Sequence, residues 1–405
     1  MPGRVEAPVD VSDSLQQKRP PLWTRDFILI CIYNLIIFIS FQMLMPTIPV
    51  YVAALGGNDE IIVGLVTGFF TVSAVLVRPW AGQGLDRYGR LGIWLVGAAV
   101  FVLAVVGYNW ALTIPLLLAL RVIHGAGWGV VTTAGATAAT DLIPPPRRGE
   151  GMGFFGLGAN LGMAVGPAMG FFLVTWLGFP TLFWSSAALA LVGLLLITAI
   201  RLPEVHVKKG GSAPALWEPT AVKPALLVFF ATFVYGGVAT FIILYGLQQG
   251  IPNPGIFFTV YAITLIITRP VTGALFDCYG HRVVLIPGFL LLGAGMVILS
   301  LTANLLTFLA AAVISGLGFG FIHPALQALA VARCAPNRRG AAQATFTASF
   351  DVGIGIGSVL LGALAQFIGY SDMYLAAAGM AVIGLLVYLM VGISPLKRFS
   401  GNTKT

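Results

Sequence analysis

The chain has 405 residues, of which 58% are hydrophobic and only 9% charged, and its mean hydropathy is +0.95. Soluble domains carry roughly a quarter charged residues, so this composition cannot cover a water-facing surface and excludes an ordinary soluble fold. A formal net charge of +8 would suit a nucleic-acid partner, but the placement of the basic residues excludes that too.

Twelve apolar runs follow one another near residues 27–50, 61–80, 91–108, 112–140, 152–175, 181–200, 224–246, 255–276, 283–301, 304–330, 342–368 and 372–393. Each is near or above the ~20 residues that cross a hydrocarbon core. The expected fold class is therefore an all-α polytopic membrane protein with twelve transmembrane helices. All of the 22 Lys and Arg except Arg121 lie in the two tails or in the gaps that follow even-numbered runs. By the positive-inside rule both termini are then cytoplasmic. Cys31 falls in the first run, and Cys278 and Cys334 on the reducing side, so no disulfide is expected. Residues 1–25 read as a polar cytoplasmic tail, and the run after them is too long for a signal-peptide core.

The first run carries Tyr33, Asn34 and Gln42 and ends in Pro46-Thr47-Ile48-Pro49. The second leads into Arg78-Pro79-Trp80-Ala81-Gly82-Gln83-Gly84-Leu85-Asp86-Arg87-Tyr88-Gly89-Arg90, denser in charge and glycine than the segments around it. The fourth holds Arg121, His124, Gly125, Gly127, Trp128 and Gly129. The fifth holds Gly158, Gly162, Gly166 and Gly170 at i, i+4 spacing, with Pro167 beside the third. Residues 202–223 form the long polar internal segment, a linker between units 26–201 and 224–393; residues 394–405 are a second cytoplasmic tail.

The wording returns 191 residues later. Arg78, Pro79, Gly82, Asp86, Tyr88 and Gly89 pair with Arg269, Pro270, Gly273, Asp277, Tyr279 and Gly280. Gly125, Gly127 and Gly129 pair with Gly316, Gly318 and Gly320, and Gly162 and Gly166 with Gly353 and Gly357. One offset held across separate landmarks predicts a duplicated unit.

These residues resemble the major facilitator superfamily, specifically its twelve-helix drug:proton antiporter group. The Gly82, Asp86, Arg87, Gly89, Arg90 loop is similar to the superfamily's signature between the second and third helices. Arg121, Gly125 and Gly127 resemble its fourth-helix signature. Gly162, Gly166, Pro167 and Gly170 resemble the fifth-helix antiporter signature, and Pro46 and Pro49 the end of the first helix in that group. The resemblance implies two pseudo-symmetric six-helix bundles, a cavity lined by the first, fourth, seventh and tenth helices, and rocker-switch alternating access. It also implies that the loop bearing Gly82, Asp86, Arg87, Gly89 and Arg90 latches the outward-open state; its glycines would let the backbone approach a neighbouring helix. Asp277 is the weaker counterpart, because Cys278 and His281 replace Arg87 and Arg90.

Arg121 is the one intramembrane cation outside the loops. An unpaired Arg near the bilayer middle costs at least ~2.5–3.5 kcal/mol on insertion scales, so it is expected to face protein or water. It reads either as a substrate or coupling group, with His124 and Trp128 on its face, or as a brace for backbone carbonyls of the first or fifth helix. Asp351 is the carboxylate deep in a run, with Gly355, Ser358 and Gly362 on its face and neutral Asn160 as its repeat-mate. Two readings fit it: a proton carrier, or a structural Asp bonded across the interface of the second and eleventh helices. His323 and Gln327, at i, i+4, are expected to line the cavity opposite the fourth helix, with Tyr235 and Asn34 as further candidates.

The first run has no Asp or Glu, and the expected cavity groups are basic or neutral, which argues for neutral, zwitterionic or anionic amphipathic substrates over lipophilic cations. No nucleophile triad, metal cluster or phosphate loop is present, so an enzyme is not expected. The Gly-x-Gly strings lie in apolar helices, where small residues allow close packing. The reading is a monomeric, multi-pass transporter of a bacterial-type inner (plasma) membrane. It needs no cofactor beyond a proton gradient, and its partners are a small-molecule substrate, protons and lipid. It exports by proton antiport. The alternatives are a proton-coupled importer of an organic anion and a non-transporting membrane sensor.

Overall fold

The computed structural model describes residues 20–57, 59–144, 147–203, 218–332, 334 and 338–392. Among them the regular elements are helices: α1 (Arg25–Leu44), α2 (Thr47–Ala54), α3 (Glu60–Tyr88), α4 (Arg90–Gly107), α5 (Ile114–Leu142), α6 (Arg148–Ala199), α7 (Val222–Gln248), α8 (Ile256–Tyr279), α9 (Arg282–Ser300), α10 (Leu305–Ala332) and α11 (Arg339–Val391). Short 3₁₀ turns precede α5 and α7. The helices are apolar around much of their circumference, the pattern of segments buried in protein or lipid rather than at a water surface. Polar caps mark where they begin: Thr24 Oγ1 accepts from the Phe27 N–H at 3.2 Å, and Asp59 Oδ1 from the Ile61 N–H at 2.9 Å. Pro115 sits in the first turn of α5, where its missing N–H costs nothing.

Ten helical runs among the described residues are long and apolar enough to cross a membrane. Two of them, α6 with 52 residues and α11 with 53, would each be far longer than a hydrocarbon core of about 30 Å if straight. They are not straight. Gly178 (φ 81°, ψ 170°) and Gly369 (φ 78°, ψ 169°) break the helical dihedrals, in a region only glycine enters cheaply. Before Gly178, α6 runs beside α1 in the same direction, Gly158 against Leu35, Gly162 against Phe38 and Gly170 against Met43. After it the order inverts, Ser186 bonding Ser40 and Gly193 facing Ile37. The chain turns back on itself. α11 does the same over α7: Gly353 meets Thr232 and Gly357 meets Phe233, then beyond Gly369 Ser371 bonds Tyr245 and Gly384 packs on Phe230.

Small residues set how close these helices come. A Cβ at Gly170 would lie 2.3 Å from the Met43 carbonyl, and one at Gly166 2.5 Å from Gln42 Cβ. In α5, Gly125 and Gly129 are pressed on the α3 backbone and Gly127 on α4; in α10, Gly316 and Gly320 press on α8 and Gly318 on α9. The repeated glycines thus make equivalent contacts in the two halves, α1–α6 and α7–α11.

The halves meet along a seam of α3 on α11, with α6 near α8 and α2 near α7. At one end the Glu60 N–H donates to Gln366 Oε1 at 2.8 Å. Further along, Thr67, Thr240 and Ser358 form a hydroxyl chain at 3.2 and 2.9 Å, and Gly355 faces Thr71. The opposite end of the molecule carries Arg87, Arg90, Arg282 and Arg338 and is called the basic end below.

Candidate functional site

The seam closes toward the basic end on an ion pair. Arg78, ten residues before the end of α3, places Nη2 2.6 Å from Asp351 Oδ2, twelve residues into α11. Each side chain keeps 17% exposure. The local sequence explains the geometry: Gly355, Ser358 and Gly362 share the face of Asp351 and bring α11 onto α3, with a Cβ at Gly362 only 2.6 Å from the Glu60 carbonyl. Asp351 therefore bridges the α3–α11 interface, and it does so to a cation rather than through a neutral hydrogen bond.

The equivalent place across the pseudo-symmetry is differently equipped. Arg269 is the repeat-mate of Arg78 and Asn160 that of Asp351. Arg269 on α8 and Asn160 on α6 line one small cavity at the seam, of about 40 Å³, with His323, Phe319, Phe350 and Met163. His323 stacks on Phe319 (ring centroids 5.7 Å, 9°) and touches Phe350 at 5.3 Å. The wall facing His323 is α6, not the fourth-run helix α5 that the sequence suggested. Gln327, one turn further along α10, does not line this cavity.

Arg121 lies elsewhere, fully buried inside the first half. Its Nε donates to the Val66 carbonyl of α3 at 2.9 Å, and its guanidinium sits 4.3 Å over the Phe70 ring. The carbonyl it holds belongs to α3, correcting the expectation of the first or fifth helix. His124 is on the same face, 3.5 Å from Arg121 Nη1, and its Nδ1 is 2.9 Å from the Tyr108 hydroxyl. Phe41, Phe70 and Phe101 surround the imidazole, and Trp128 stacks on Phe41 at 4.1 Å. This is a cation wrapped in carbonyl and aromatic contacts. Asn34 is likewise internal, donating from Nδ2 to the Phe155 carbonyl at 2.8 Å. Tyr235 faces the seam, stacked between Tyr261 and Phe319, with Gln42 of α1 in hydrogen-bonding reach.

At the basic end, Arg90 Nε pairs with Asp141 Oδ2 at 3.0 Å, tying the start of α4 to the end of α5. Arg87 is exposed, 5.6 Å over the Tyr88 ring, and Asp277 is exposed at the end of α8. The Asp86 side chain lies outside the described residues. The close backbone approach expected at the loop glycines is not found: a Cβ at Gly82 or Gly89 would meet nothing within 4 Å. Gly89 is required instead by its backbone, φ 93°, as is its mate Gly280 at φ 83°. His281 is buried against the Tyr388 hydroxyl at 2.8 Å. Glu218, just before α7, accepts from the Thr220 hydroxyl at 2.8 Å, from the Thr220 N–H and from Arg338 Nε; the Thr220 bond above all holds its carboxyl below the usual range.

Sequence reasoning missed Arg78 and Arg269 as site residues, reading them as loop charges. The signal was there: each opens the repeated stretch, and the same offset joins Asn160 to Asp351. Among the described residues no group of three or more His, Cys, Asp or Glu could hold a metal ion.

The family model of the Major Facilitator Superfamily matches residues 30–258 and 253–404. The chain is 25% identical over 367 residues to the uncharacterised MFS-type transporter MJ1560 of Methanocaldococcus jannaschii, covering 85% of this chain and 93% of that one. It is 27% identical over 379 residues to the uncharacterised MFS-type transporter YhhS of Escherichia coli K12, covering 88% and 90%. Among solved structures, a bacterial homologue of the human lysosomal transporter Spinster, inward-facing and occupied, superposes with a TM-score of 0.76 at 16% identity, over 92% of this chain and 97% of that one. The human organic anion transporter MFSD10 gives 0.68 at 18% identity, over 90% and 98%.

Proposed function

The chain belongs to the major facilitator superfamily, and from that premise we propose a proton-coupled antiporter that exports small amphipathic molecules by alternating access. The helical runs support twelve crossings: α1 with α2 counts as one, and α6 and α11 as two each, on either side of Gly178 and Gly369. The Lys and Arg at the basic end favour a cytoplasmic location for that end and for both tails, in a bacterial-type inner membrane.

The observation that carries the mechanism is the Arg78–Asp351 pair, because it crosses from one half to the other. Separating the halves at the basic end requires pulling the two charges apart. Proton arrival at the Asp351 carboxylate removes its charge, and with it most of the attraction to Arg78. Proton loss restores the pair. A carboxylate that binds a proton in one arrangement and a guanidinium in the other links proton movement to the rocking of the halves, as differential stabilisation of two states requires. Arg121 and His124 do not stand on this path; their contacts with Val66, Phe70 and Tyr108 suit them to holding α3, α4 and α5 together. Tyr235 with Gln42, and His323 in its cavity, are the polar groups at the seam suited to meeting a substrate. With Arg269 beside His323, the charge there favours neutral, zwitterionic or anionic compounds.

The test uses purified protein in liposomes with an internal pH dye. Adding an amphipathic compound from a panel to energised vesicles should release protons for at least one compound, and the Asp351→Asn protein should release none at equal incorporation. Compound movement that is indifferent to the pH gradient would overturn the coupling.

A further inference from the structure

The pseudo-symmetry pairs two arginines with two partners, but only one partner carries charge. Arg78 has Asp351 at 2.6 Å; Arg269 has Asn160 across the cavity and no ion-pair or hydrogen-bond partner among the described residues. An arginine at membrane depth is expected to pair or to line a polar cavity, and Arg269 lines one. Its neighbours suit an anion. Asn160 is neutral, so it cannot neutralise the guanidinium, and with one Nδ2 hydrogen given to the Gly156 carbonyl at 2.8 Å it has a second to offer an anion. His323 supplies an imidazole N–H, and Phe319, Phe350 and Met163 supply apolar walls.

We propose that the Arg269–His323–Asn160 cavity binds the carboxylate group of an organic acid, which occupies there the position that the Asp351 carboxylate occupies on the other side of the molecule. About 40 Å³ admits a carboxylate but not a whole molecule, so the acid's apolar body extends between the halves past Phe319 and Phe350. Guanidinium and carboxylate meet as a planar fork, which favours this anion. Bound acid would then draw α8 and α6 together as Asp351 draws α11 to α3. The inference rests on the transporter reading and narrows its substrates to those bearing a carboxylate.

The experiment measures thermal stability and ligand binding of the full chain in detergent, which depends neither on proton movement nor on transport. The probes are benzoate, phenylacetate and hexanoate, each against its uncharged amide. At least one acid should raise the melting temperature of the wild type where its amide does not, with affinity falling at least tenfold in Arg269→Gln. Asn160→Asp supplies the missing carboxylate from within: it should raise the melting temperature without ligand and abolish the response to the acid. The proposal is overturned if no acid outperforms its amide, if Arg269→Gln binds the acid unchanged, or if Asn160→Asp fails to stabilise. Acid binding that survives loss of pH-driven transport strikes only the coupling mechanism, and the reverse result strikes only this site.

Discussion

Asp351→Asn removes one charge from the seam and keeps the shape of the side chain. Removing one partner of a fully buried ion pair costs about 3–5 kcal/mol, whereas an exposed pair is worth about 0–1 kcal/mol. The two side chains here keep 17% exposure each, which places the loss between these limits, at about 1–3 kcal/mol. All of it falls on the arrangement in which Arg78 and Asp351 touch, so the equilibrium between closed and open basic ends should move about 5- to 150-fold. Pulsed electron–electron resonance reads this directly, between labels on exposed Cys278 and on Tyr88→Cys, itself 73% exposed, with Cys31 and Cys334 replaced. Wild type should show mainly the shorter distance, and Asp351→Asn a large longer-distance population. Arg78→Gln should act in the same sense, and the double variant should add little to either, as partners in one pair must. Superimposable distributions for wild type and Asp351→Asn, or additive single variants, would refute the reasoning.

Three further outcomes follow from the packing. Gly170→Val drives a side chain onto the Met43 carbonyl, 2.3 Å from its Cβ; backbone cannot yield cheaply, so folded protein recovered in detergent should fall severely, and a normal yield would sink the close-contact account of α1 on α6. Arg121→Lys keeps the charge but loses the Nε bond to Val66 and the guanidinium stacking on Phe70, and should cost about 1–3 kcal/mol in thermal stability; an unchanged melting temperature argues against a bracing role. Glu218→Gln should lower stability at neutral pH. Because the folded carboxyl is held below its unfolded value, the advantage of wild type is complete above about pH 4.3 and lost as pH falls through the folded value; a gap that widens on acidification contradicts the sign.

How far the molecule could be read from its sequence depended on whether a feature was local. The helical runs, the 191-residue repeat and the glycine faces of α5, α6, α10 and α11 are properties of single segments, and spacing exposes them. The direction in which a face points is not. His124 and Trp128 do share the face of Arg121, but a period of 3.6 does not say which neighbour that face meets, and the answer was the Val66 carbonyl of α3. Gly82 looked like a close-packing residue by its place in the loop and faces open space, while Gly89 is demanded by one positive φ. Asp351 was visible as a buried carboxylate, yet Arg78 was hidden among the loop cations because their meeting is made only when the halves come together. The repeat contained a further clue: comparing position 160 with 351, and 78 with 269, shows one salt bridge and one arginine left without its acid.

Whether Asp351 carries the proton or only fastens the halves is decided by comparing two modes of transport in the same liposomes. Substrate-for-substrate exchange needs the halves to move but no net proton; pH-driven net transport needs both. Asp351→Asn should keep measurable exchange, its rate changed by no more than the shift in the closed–open equilibrium, and lose pH-driven transport. Loss of both modes, or retention of both, contradicts the account.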